Sequence, residues 1–172
     1  MERRNAWLSY NEADEKALEK LAKDYRTFLD NGKTERECVS ELSREAEAAG
    51  YVSLDKKLAS GEKIQTGDKI YAVGMKKIMA LFHIGEDPME KGMNILGAHI
   101  DSPRLDVKQN PLYEDTDLTY LDTHYYGGVK KYHWVALPLA IHGVIVKKDG
   151  TVVNVTVGEA EDDPVVYITD LL

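Results

Sequence analysis

The chain has 172 residues, 43% of them apolar and 30% charged, with a net charge of −8. That length holds one domain or one and a part, and the composition is that of a soluble globular protein. The acidic balance excludes the basic stripe of a nucleic-acid interface, and no apolar run approaches the ~18 residues of a membrane span.

The first ten residues, MERRNAWLSY, carry two arginines but no apolar stretch behind them, so they do not read as a signal peptide. A helix is expected over 12–31, where Ala13, Ala17, Leu18, Leu21, Ala22, Tyr25, Phe28 and Leu29 recur at spacings of three and four. Asn11 caps its start and Gly32 suits its exit. A second helix is expected over about 35–49, with Thr34 and Glu37 at capping-box spacing. Both helices are expected to pack on a sheet. Cys38 is the single cysteine, so no disulfide framework exists within the chain. It reads as a semi-buried helix residue in a reducing, cytoplasmic protein. Strands follow at Lys69–Val73 and Ile78–Ile84, spaced as a hairpin, and a loop at Gly85–Gly92.

The stretch Asn94–Asp106 reads NILGAHIDSPRLD. Its short apolar run, bounded by Gly92 and Pro103, predicts a buried strand with polar residues at its C-terminal end, where ligands bind in open α/β sheets. His99 and Asp101 are two apart, so an extended backbone turns them to one face. A metal can bind the imidazole while the carboxylate orients a ring or a water. A capped strand end with a satisfied histidine is the plainer alternative.

Beyond Asp106 the helical periodicity stops, and a domain boundary is placed near 105–112. Residues 1–105 are mixed α/β and 106–172 are β-rich. Tyr120–Tyr126 is extended and Gly127-Gly128 breaks it. Trp134–Val146 is a long β-rich run, and Asp149-Gly150 turns between Gly143–Lys147 and Thr151–Val157. Glu159–Pro164 is an acidic loop. Val165–Leu172 starts one more apolar strand, and an ending inside such a segment is expected of the N-terminal part of a longer protein.

The histidines are at 83, 99, 124, 133 and 142. The sequence has no H-E-x-x-H, no phosphate-binding G-x-x-x-x-G-K-[ST] and no G-x-S-x-G elbow. Ser102 beside His99 is sequence adjacency, not triad geometry. His83, His133 and His142 read as structural. An iron oxygenase would use His99, Asp101 and His133 or His142 as its triad, but the N-terminal helices argue against the all-β barrel it needs.

Taken together, GAHIDSPRLDVKQNPLYED, HYYGGVKKYHWVALPLAIHG and KIYAVGMKKIMALFHIG resemble the M18 family of metalloaminopeptidases, the aspartyl-aminopeptidase-like enzymes. The G-A-H-x-D-S-P segment is the most specific part. The resemblance implies an α/β fold class. Residues 1–105 would be the N-terminal part of a zinc-peptidase catalytic domain, and 106–172 the beginning of a β-rich insert that builds dimers and larger homo-oligomers. It implies peptide substrates and two Zn2+ ions per complete site. His99 is implied as a metal ligand, and Asp101 as the catalytic-site aspartate that orients it. The bridging aspartate, the general base and a second histidine would come after the insert, so the chain alone is expected to be inactive. A truncated assembly module without catalysis is the non-enzyme alternative.

Overall fold

The computed structural model describes residues 3–168. The chain divides into two compact units, Met1–Ile100 and Asp101–Leu172.

The first unit opens with a short 3-10 turn, Ala6–Ser9, followed by helix α1, Glu12–Asn31. Asn11 caps α1: its side-chain oxygen accepts from the amides of Ala13 and Asp14, and the Asp14 carboxylate accepts from the Asn11 amide. Thr34 and Glu37 form the same reciprocal box at the start of α2, Glu35–Ala48. These boxes satisfy amides that a helix start leaves without partners. Strand β1, Val52–Ser53, leads into α3, Leu54–Ser60, which ends at Gly61 in the left-handed region, φ 71°.

Strands β2, Lys69–Gly74, and β3, Ile78–His83, form the expected hairpin in unbroken register, from Lys69 opposite His83 to Gly74 opposite Ile78. Met75 and Lys76 both take positive φ in its turn, and the Lys77 amide donates to the Gly74 carbonyl. The sheet order is β1-β2-β3, with β1 parallel to β2.

Packing is concentrated between α2 and β2. Cys38, Val39 and Ala46 of the helix and Ile70 and Tyr71 of the strand are the buried apolar residues among those described. The Tyr71 hydroxyl donates to Glu47 at 2.8 Å, so its ring is buried without stranding its polar end. The expectation that both helices pack on the sheet holds for α2 only. α1 lies against α2, none of its residues is buried, and Leu21, Tyr25 and Leu29 of its apolar stripe face solvent.

A second expectation fails in the same unit. Residues 92–103 form no strand and carry no regular secondary structure. Ile95 is 79% exposed and Leu96 101%. A strand exists through its ladder, and no described strand pairs with this segment. The apolar composition was legible, but the partner that would make it a buried strand is not among the described residues.

The second unit is built from hairpins. β4, Arg104–Asp115, pairs antiparallel with β5, Leu118–Tyr126, through a tight turn in which Thr116 and Asp117 both have positive φ. The register shifts between Val107 and Leu112, where β4 holds more residues than its partner. Tyr113 and Tyr120 stack at 5.2 Å near the turn. β6, Ile141–Val146, pairs with β7, Val152–Val157, in the hairpin expected around Asp149-Gly150. Only residues 141–146 of the expected run Trp134–Val146 form a strand. Before them lie a 3-10 turn, Lys131–His133, and single bridges from Val135 to Ile168 and from Leu139 to Val166. The end of the last expected strand, 169–172, lies outside the described residues.

This distribution of burial predicts where substitutions count. Ile70→Ala, at a residue 2% exposed, should cost about 2–5 kcal/mol. Leu21→Ala, at a residue 67% exposed, should stay within about 0.5 kcal/mol. Urea unfolding of the two variants checks this, and equal losses would refute the packing described.

Candidate metal centre

His99 and Asp101 fall on either side of the division between the two units. His99 is exposed at the end of the first unit, and Asp101 is half-buried at the start of the second. The second unit gives Asp101 a built environment. The Tyr126 hydroxyl donates to Asp101 Oδ2 at 2.9 Å. Tyr126 is the last residue of β5 and stands opposite Arg104, the first residue of β4. The Arg104 guanidinium lies 4.2 Å from the centroid of the Tyr126 ring, a cation–π contact. Arg104 Nε donates to Asp106 Oδ1 at 2.7 Å. The chain leaves β5 at Gly127, φ 75°, where a Cβ would meet Pro103 Cα at 3.4 Å. Glycine is favoured there by the backbone conformation and tolerated by the close approach.

The other histidines have separate settings. His83 ends β3 opposite Lys69. His124 lies opposite Asp106 in the ladder. The His133 ring packs edge-on against Tyr132 at 4.4 Å, and His142 Nε2 is 3.0 Å from Glu159 Oε1. Ser102 is exposed. Two surface hollows of about 440 and 490 Å3 lie along α1 and its lead-in, lined by residues such as Tyr10, Leu18 and Glu19, and neither holds a histidine or Asp101.

A structural zinc takes four N, O or S donors, and a catalytic zinc takes three plus water. Imidazole and carboxylate are suitable donors, but among the described residues no group of three or more His, Cys, Asp or Glu side chains is placed to hold a metal ion. The described donors fit zinc in kind and not in number. The sequence pointed to His99 and Asp101, and did not point to Tyr126 and Arg104 as the surroundings of Asp101. The one hint was the Tyr-Gly-Gly at 126–128, whose glycine marks the bend against Pro103.

Cys38 takes no part in this constellation. Its thiol donates weakly to the Gly32 carbonyl at 3.4 Å and the Ile100 carbonyl at 3.6 Å. Burial first, then the nearby Glu37 and Glu35 carboxylates, hold its pKa above the ordinary thiol value. The thiolate is the reactive form, so Cys38 should alkylate with iodoacetamide roughly tenfold or more slowly in the folded chain than in urea. Mass spectrometry of timed samples reads this, and equal rates would show an open, ionised thiol.

Comparison with known proteins places these features in a family. Residues 28–172 match the family model for the aminopeptidase I zinc metalloproteases, M18. A probable M18 family aminopeptidase 1 of Clostridium acetobutylicum is 57% identical over 171 residues, which are 99% of this chain and 37% of that protein. The chain thus spans little more than a third of this curated relative. The crystal structure of aminopeptidase I from the same organism matches all of this chain and 38% of its own, with a TM-score of 0.83 at 57% identity. Aminopeptidase I from Borrelia burgdorferi matches 98% of this chain and 41% of its own, with a TM-score of 0.89 at 38% identity. These matches favour neither the iron-oxygenase reading nor the non-catalytic one.

Proposed function

This chain belongs to the M18 family of zinc metalloproteases, and from that premise we propose that it forms part of an aminopeptidase that releases N-terminal residues from peptides. The observation that carries the reading is the G-A-H-x-D-S-P segment, Gly97–Pro103, inside a match that runs along nearly the whole chain. In this reading His99 binds zinc through one imidazole nitrogen, and Asp101 fixes the orientation of that ring and raises its basicity. Zinc, two ions in the complete site, contributes Lewis acidity and a water of lowered pKa. The remaining ligands and the general base come from sequence outside these 172 residues. Residues 1–105 belong to the catalytic domain and 106–172 begin the β-rich insert. The protein acts in the cytoplasm.

The test is complementation. The 172-residue chain by itself should show no zinc-dependent release from aminoacyl p-nitroanilides. Joined to the C-terminal remainder of the Clostridium relative, it should turn them over. In the joined chain His99→Ala should lower kcat/KM by at least about 100-fold and Asp101→Asn by about 10- to 100-fold. Full activity of the joined His99→Ala chain would remove His99 from the site. Turnover by the short chain alone would show that it holds a complete one.

The same reading makes residues 106–172 an oligomer contact. Leu112, Leu118, Ile145, Val146 and Val152 are each more than half exposed on the two hairpins. Large apolar side chains gathered on hairpins with unpaired edges are a docking surface for further strands. Light scattering behind a sizing column should give a dimer or larger species at micromolar concentration, and a clean monomer would count against the contact.

A further inference from the structure

We draw no further inference here: the strongest candidate, the exposed apolar stripe of Leu21, Tyr25 and Leu29 along α1 with the hollow beside it lined by Tyr10, Ala17 and Leu18, carries nothing, because nothing in the structure shows what covers it.

Discussion

The burial of one face of α2 against β2 is what the first unit depends on. Cys38, Val39 and Ala46 meet Ile70 and Tyr71, and no other described side chain is as fully withdrawn from water. Removal of apolar area from water is worth about 25 cal/mol per Å2, while capping boxes and surface ion pairs each contribute about 1 kcal/mol or less. α1 has the second kind of support, with its Asn11 box and exposed pairs such as Lys16–Glu12, and of the first only the partial burial of Leu18, Ala22 and Phe28. Its position is set by α2, and α2 is set by the strand. The hydrogen bond from Tyr71 to Glu47 belongs to the same core, because it lets a tyrosine serve as a buried wall.

The second unit is organised on another principle. A two-stranded hairpin alone is marginal in water, and this unit has two of them without a layer of buried side chains among the described residues. Polar closures at the ends take over part of the task. The Asp163 carboxylate accepts from the amides of Gly158, Glu159 and Ala160 and closes the loop after β7. Those amide donors hold its pKa below the usual carboxylate value. Lys108 and Asp122 pair across β4 and β5 at 2.9 Å, and the Arg104–Tyr126 contact closes the opposite end from the turn. These devices define register and leave the apolar faces open, which is the arrangement an assembling domain would present.

How much of this was legible in the sequence follows from how local each cause is. The two long helices were readable to within about a residue because Asn11 and Thr34 act on amides two or three positions away. The β2–β3 and β6–β7 hairpins were readable because their turns join the partners directly. β4 was not: no strand was expected over 104–115, and Arg104–Asp115 pairs with β5 through a register shift between Val107 and Leu112. The apolar run of Asn94–Asp106, bounded by Gly92 and Pro103, was read as a strand from composition, yet strandedness depends on a partner, and composition cannot provide one. The run before β6 was overextended for the same reason.

The H-x-D reading changes its footing accordingly. The expectation that His99 and Asp101 share a face came from the two-residue period of a strand, and residues 92–103 are not one. What the structure gives Asp101 is an environment of its own: a half-buried carboxylate, a tyrosine hydroxyl at 2.9 Å, and a guanidinium braced behind that tyrosine. The arginine stacked on the tyrosine, the tyrosine hydroxyl and the turn at Gly127 together set the surroundings of Asp101 within the second unit.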